Sequence, residues 1–210
     1  AGGTPVLRTA FDPARNGFQF SNNDIRWEIH PGGPNGSFLC GGMIYTTLDH
    51  WYAKMAMPAD TVPPPVRTPL NNYIYYRQMT AHLYTVPRMS GGTILPFTTQ
   101  WFVDSVASEY DRIRAGIAAG RPVPLFLVED KAFAGHHVLA IGCQSSPGAG
   151  VPMIQIYDPN RPRIVSEIHV DYSSKHFYNR APGATGGMYL KGFFEDRNYK
   201  PKHPPQFAPP

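Results

Sequence analysis

The stretch Gly135-His136-His137-Val138-Leu139-Ala140-Ile141-Gly142 is apolar after its two histidines and has a glycine at each end. A short apolar run of this kind, set between turn-forming residues, predicts a buried β-strand. We expect the chain after Gly120 to form an antiparallel sheet from this strand and its neighbours. The neighbouring strands are predicted at 123–128, 153–157, 164–170 and 188–194.

Upstream of the predicted sheet, the apolar residues recur at helical spacing. The pattern over 43–55 predicts a helix that begins at Cys40 or just after it. A second helix is predicted from Thr68, with a turn at 90–92, and a third over 99–119. Helices followed by strands predict an α+β fold, in which an N-terminal helical layer packs on a C-terminal antiparallel sheet.

Length and composition favour one folded domain. The chain has 210 residues, of which 42% are hydrophobic and 16% charged. We expect a single domain over 1–199 with a loop-rich lead-in at 1–33, followed by a flexible, Pro-rich tail at 200–210. The net charge of +4 comes from scattered basic residues, so no nucleic-acid partner is predicted. No apolar stretch approaches the roughly 20 residues of a membrane span.

Cys40 lies between a glycine-rich loop and the first predicted helix. A helix N-terminus presents unpaired N–H groups and a partial positive charge, which favour the reactive thiolate. Gly41 follows directly and would let a substrate approach bare N–H groups near a developing oxyanion. Two alternatives stay open: Cys40 as a small buried hydrophobic residue, and a disulfide between Cys40 and Cys143.

A cysteine nucleophile needs a base, and the base needs a group that fixes its tautomer. His136 opens the central strand, and alternation places His137 on the opposite face, so only one of the two is expected to face a cleft. Asp158 ends the next strand, which in an antiparallel hairpin brings it beside His136. Asn160 is the neighbouring candidate for the same role, although Asp-Pro-Asn is also explained as a simple turn.

The order of Cys40 on a helix, His136 before Val138 on a strand and Asp158 before a proline resembles the papain-like cysteine peptidases. It is most similar to their bacterial branch of bacteriocin-processing, double-glycine-leader peptidases. The resemblance covers residues 34–160 and implies a papain-like fold, a thiol protease activity and a Cys-His-Asp catalytic triad. Those enzymes carry an oxyanion-binding glutamine where this chain has Pro34, and Asn35 is the candidate substitute.

The expected function is therefore that of a cysteine hydrolase or acyl transferase that acts on an amide of a peptide or protein substrate. One alternative is a papain-like binding module that has lost catalysis. Another is a delivered effector that works as a deamidase or a transglutaminase. The chain begins with Ala1 rather than Met, which is compatible with processing and with secretion or export.

Metal and cofactor chemistry is not predicted. The histidines show neither His-Glu-x-x-His nor Cys-x-x-Cys spacing, and no glycine-rich stretch carries the Lys-Ser/Thr of a phosphate loop. Asp49 and His50 are adjacent on the first helix and are expected at the surface.

Overall fold

A computed structural model describes residues 6–94, 108–129, 135–144, 152–171 and 173–207. The longest helices lie in the first half of the chain, and α3 continues through 90–92, where a turn was predicted. Of the predicted third helix, 99–119, residues 99–107 lie outside the described residues. The helices are α1 (Pro13–Asn16), α2 (Cys40–Ala53), α3 (Pro69–Ile94) and α4 (Tyr110–Ala118).

Strands make up most of the second half. Three short strands come first: β1 (Val6–Arg8), β2 (Arg26–Glu28) and β3 (Asn35–Ser37), of which β2 and β3 form a separate antiparallel hairpin. The remaining strands are β4 (Val123–Glu129), β5 (Gly135–Gln144), β6 (Pro152–Tyr157), β7 (Val165–Asp171), β8 (His176–Arg180) and β9 (Met188–Glu195). The sequence pattern had predicted each of these except β8.

The strands β4 to β9 form a closed barrel. Each pairs antiparallel with the next, and β9 returns to pair with β4, so the six strands make an up-and-down barrel. The strand β1 pairs with the C-terminal end of β5, beyond the residues of β5 that pair with β4. The expected papain-like arrangement, a helical layer packed on an open sheet, is therefore wrong. Local periodicity identified the strands, but closure depends on their tilt and register, which a sequence pattern does not reveal.

Two apolar clusters place α2 against the barrel. The barrel interior is filled by side chains such as Val138, Leu127 and Ile156, together with α4 residues such as Ile113. On its outer face, β5 presents Leu139 and Ile141 to α2, where Ile44, Tyr45 and Leu48 cover them. The first turn of α2 thereby lies near the beginning of β5, where the two histidines stand.

The helices α2 and α3 approach each other closely at Gly42. A Cβ at this position would collide with the carbonyl oxygen of Ile74, so the helix-weakening glycine is explained by packing. The helix α2 ends at Lys54, which adopts the left-handed conformation and donates its N–H to the carbonyls of the last turn.

The Pro-rich segment after β9 contacts these helices over its described part, 200–207. The N–H of Lys202 donates to Asp49 Oδ1 at 2.9 Å, and the ring of Phe207 stacks on His50 with centroids 6.0 Å apart. Within the described part of the chain, every helix is too short or too polar to traverse a bilayer.

Candidate active site

The structure brings Cys40, His136 and Asp158 together. Cys40 is the first residue of α2, His136 lies near the start of β5, and Asp158 directly follows β6. The imidazole of His136 lies close enough to Cys40 to lower the pKa of its thiol, and its Nε2 lies 2.7 Å from Asp158 Oδ1. The side chains are nearly enclosed, with residue exposures of 7% at Cys40, 4% at His136 and 1% at Asp158.

Strand pairing explains why Asp158 reaches His136. Tyr157, the last residue of β6, pairs with Leu139 of β5, so the chain leaves β6 beside the first residues of β5. This is the hairpin geometry that the sequence predicted. The hydroxyl of Tyr157 also accepts the N–H of Phe18 at 3.0 Å, which fixes the lead-in segment next to the strand end.

The carboxylate of Asp158 is held on both oxygens. Oδ1 accepts the backbone N–H of Asn160 at 2.9 Å, and Oδ2 accepts Nδ2 of Asn179 at 2.9 Å. Arg161 Nη1 lies 3.6 Å from Oδ2. Asn160 therefore supports the carboxylate through its backbone, while its side chain accepts a hydrogen bond from Asn22 at 2.9 Å. This network fixes the carboxylate in the orientation that His136 needs.

The protonation states of the three groups depend on one another. Burial alone would raise the pKa of Cys40, but hydrogen bonds from His136 and His137 outweigh it and hold that pKa well below its ordinary value. Burial opposes the charged form of His136 as well, yet the charge and hydrogen bond of Asp158 raise its pKa to about 10. Burial likewise disfavours the charged form of Asp158, but His136 lowers the pKa of this carboxyl to about 2. Both shifts favour a thiolate–imidazolium pair.

His137 also belongs to this site, although only one of the two histidines was expected to face it. Its imidazole lies against Gly41, close enough to Cys40 to lower the pKa of the thiol, and its Nε2 lies 3.2 Å from Asp196 Oδ2. No sequence pattern indicated Asp196, since its approach depends on β9 pairing with β4.

The groups near Cys40 that are placed to bind an oxyanion differ from those predicted. Asn35 is exposed in the β2–β3 hairpin, where it pairs with Glu28, and no hydrogen bond among the described residues joins it to the triad. Gly41 is the second residue of α2, and a Cβ there would lie 2.9 Å from Nδ1 of His137, so its lack of a side chain makes room for that ring. The backbone N–H groups of Cys40 and Gly41 have no partner within the helix.

Gln78 of α3 is a site residue that sequence reasoning missed. Its Oε1 accepts the N–H of Gly42 at 2.7 Å, so it caps the helix N-terminus from a neighbouring helix. Its Nε2 lies 2.6 Å from Nε2 of His82. His82 is in turn close enough to Cys40 for the charge of the thiol to act on the pKa of His82. The i,i+4 spacing of Gln78 and His82 was the available signal, but nothing in it indicates the contact with α2.

Two alternatives from the sequence can be compared with this geometry. Cys40 and Cys143 are both free thiols, and Cys143 lies in the barrel core, where burial raises its pKa to about 11. Among the described residues, no group of three His, Cys, Asp or Glu side chains is arranged to hold a metal ion.

Asp49 and His50, predicted at the surface, are buried instead.

Comparison with known proteins finds no similar family model, no similar curated protein and no similar solved structure.

Proposed function

We propose that this protein is a thiol enzyme, a cysteine hydrolase or acyl transferase that acts on an amide of a peptide or protein substrate. The observation that carries the proposal is the contact chain from Cys40 to His136 to Asp158, with the 2.7 Å hydrogen bond between the imidazole and the carboxylate. The order of these residues along the chain, shared with the papain-like peptidases, supports the chemistry independently of the fold.

The residues divide the first half of the reaction as follows. The Cys40 thiolate attacks the amide carbonyl carbon and forms a tetrahedral oxyanion. His136, protonated in the resting pair, donates its proton to the leaving nitrogen, the C–N bond breaks, and a thioester remains on Cys40. Asp158 accepts the other N–H of the imidazole throughout, which fixes the tautomer and stabilises the imidazolium.

The second half returns the enzyme to its starting state. Neutral His136 takes a proton from the incoming nucleophile, which attacks the thioester, and the C–S bond breaks to release the thiolate. Water as the nucleophile gives hydrolysis or, on a glutamine side chain, deamidation. An amine gives acyl transfer, including transglutamination. The same three residues serve all of these outcomes, because they differ only in the group that attacks the thioester.

The N-terminus of α2 supplies the stabilisation of the oxyanion. The backbone N–H groups of Cys40 and Gly41 lie beside the sulfur, and the partial positive charge of the helix end favours a negative oxygen there. Gln78 already occupies the next N–H, that of Gly42. We therefore assign the oxyanion to backbone donors and give Asn35 no role in it.

The contact between Cys40 and His136 supports a catalytic role over an inactive binding module. A module that had lost catalysis would have no need to keep a buried cysteine beside an imidazole that lowers its pKa and whose carboxylate has four partners. Burying these charged groups costs free energy, and their arrangement compensates for that cost only when all of them are present.

The test uses glutamine-containing peptides and folded protein substrates. We expect the wild-type protein to cleave peptide bonds or release ammonia, measured by mass spectrometry and an ammonia assay, and to trap a thioester on Cys40. Cys40→Ala should remove all of this activity. Cys143→Ala is the matched control and should keep it, because Cys143 lies in the barrel core. Full activity in Cys40→Ala would overturn the proposal.

A further inference from the structure

The two histidines at the start of β5 stand on opposite faces of the strand. His136 alternates with Val138 and Ala140, which point into the barrel core, whereas His137 alternates with Leu139, which packs against α2. Both imidazoles nevertheless lie close enough to Cys40 to lower the pKa of its thiol, and the ring of His137 lies against Gly41, the next residue. The thiol therefore interacts with one ring from each face of the strand.

The surroundings of His137 repeat those of His136. Asp158 directly follows β6, which pairs with β5, and Asp196 directly follows β9, which reaches β5 through β4. Asp196 is 2% exposed and, like Asp158, is held on both oxygens. Oδ2 accepts the hydroxyl of Tyr45 at 2.7 Å, and Oδ1 accepts the N–H of Asn198 at 3.0 Å. Each histidine thus has its own buried, fixed carboxylate.

The ring of His137 is more enclosed than that of His136. Phe126 lies edge-on to it with centroids 4.9 Å apart, Tyr45 lies at 6.5 Å, and a Cβ on Gly41 would lie 2.9 Å from Nδ1. At 1% exposed, against 4% for His136, the ring of His137 is the less accessible of the two to a leaving group.

We infer that His137, oriented by Asp196, is a second histidine partner of the Cys40 thiolate, which remains protonated and holds the negative sulfur while His136 exchanges its proton with the substrate. This division of roles rests on the proposed function. The pairing of His137 with the thiolate does not, because it can be measured without a substrate.

The charges of the cluster are consistent with this assignment. A thiolate and two carboxylates carry three negative charges, which two imidazolium rings and the guanidinium of Arg161 balance. Burial opposes protonation of His137, but hydrogen bonds with Asp196 and Cys40 raise its pKa. The titratable groups that face the pair of His137 and Cys40 from the packed elements are His136, Asp158, Asp196, Tyr45 and His82, whose pKa burial lowers.

The experiment measures the rate at which iodoacetamide alkylates Cys40 as a function of pH, with the alkylation of each cysteine followed on its own peptide. We compare the wild type with His136→Gln, His137→Gln and the double variant. Wild-type Cys40 should react at an almost constant rate down to well below pH 7. Each single variant should move the midpoint of this profile up by about one pH unit, since losing one partner raises the thiol pKa by about one unit, and should react about tenfold more slowly at pH values below the wild-type midpoint. Cys143 is the internal control and should stay slow.

The inference is overturned if His137→Gln keeps the wild-type alkylation profile while His136→Gln shifts it. In that case the proposed function stands and His137 is only a packing residue. If His136→Gln also keeps the wild-type profile, the proposed function itself fails. Should His137→Gln not fold, Asp196→Asn and Tyr45→Phe provide the same test, with a smaller shift in the same direction.

Discussion

The helix α2 carries two buried charged clusters that differ in what they can do. At its N-terminus, Cys40 meets two imidazoles. Near its C-terminal end, Asp49 is completely buried, and Arg77 forms a twofold ion pair with it, Nε to Oδ2 at 2.8 Å and Nη2 to Oδ1 at 3.0 Å. Further hydrogen bonds to Asp49 come from the hydroxyls of Tyr73 at 2.9 Å and Tyr199 at 3.0 Å.

The two clusters show that burial of charge does not by itself mark a reactive site. The partners of Asp49 are a guanidinium, which stays charged at any ordinary pH, and tyrosines, whose pKa values burial raises further. None of them exchanges a proton near neutrality. A thiol and imidazoles do, so only the N-terminal cluster can act as acid, base and nucleophile. The Asp49 cluster instead fixes α2, α3 and the segment after β9 to one another.

The largest effect should come from Asp158→Asn, which sharpens the comparison at the reactive cluster. Without the carboxylate, His136 loses the charge that raises its pKa and the acceptor that fixes its tautomer. We expect the rate of amide turnover, expressed as kcat/KM, to fall by about 10³–10⁴-fold.

The matched control is Asp24→Asn, which makes the same chemical change at an exposed position and should keep wild-type activity. Thermal unfolding of both variants separates lost chemistry from lost structure. Turnover within a few-fold of the wild type in Asp158→Asn would remove Asp158 from the mechanism.

The next effect, on stability, should come from Arg77→Met at the other cluster. This change leaves the Asp49 carboxylate buried without its counter-ion and should lower the free energy of unfolding by about 3–5 kcal/mol, measured by urea denaturation. The alkylation profile of Cys40 in the folded protein should stay that of the wild type.

Arg15→Met is the control for this change, because the ion pair of Arg15 with Asp12 is largely exposed, and it should cost less than about 1 kcal/mol. A loss of Cys40 reactivity without a loss of stability in Arg77→Met would contradict the separation of the two clusters.

The sequence predicted the local parts of the candidate site well. The helix begins at Cys40 as expected, and the hairpin of β5 and β6 places Asp158 beside His136, because apolar periodicity and short turns identify neighbouring elements. Whether these residues are catalytic stays a prediction. The role of Asn35 was taken from the family resemblance alone, and the geometry does not support it.

Long-range features could not be predicted in the same way. The barrel closes through the pairing of β4 with β9, whose positions along the chain are far apart, and the same pairing carries Asp196 to His137. Asp49 was predicted at the surface because it and its neighbour His50 point to different sides of the helix, but Arg77 from α3 and Tyr199 after β9 supply buried partners for it. Partners from distant parts of the chain leave no periodic signal.

The smallest predicted effect is a decrease in the free energy of unfolding at acidic pH, which depends on the charged state of the reactive cluster. The pKa of Asp158 is about 2 in the folded protein, against 3.8 for an unperturbed carboxyl. A depressed pKa adds stability above the unfolded value, and this contribution disappears as the pH falls from about 4 to about 2. For Asp158 it amounts to about 2 kcal/mol.

Urea unfolding of the wild type at pH 5 and at pH 2.5 should show part of this loss, and Asp158→Asn should lose correspondingly less over the same interval. Asp24→Asn should follow the wild type. The pKa of His136 is raised to about 10, so its contribution has the opposite sign: it is complete below about pH 6.5 and is lost as the pH rises towards 10. An identical acid dependence in Asp158→Asn and the wild type would mean that the His136–Asp158 pair does not exist as a charged pair, and the contrast between the two clusters of α2 would then lose its basis.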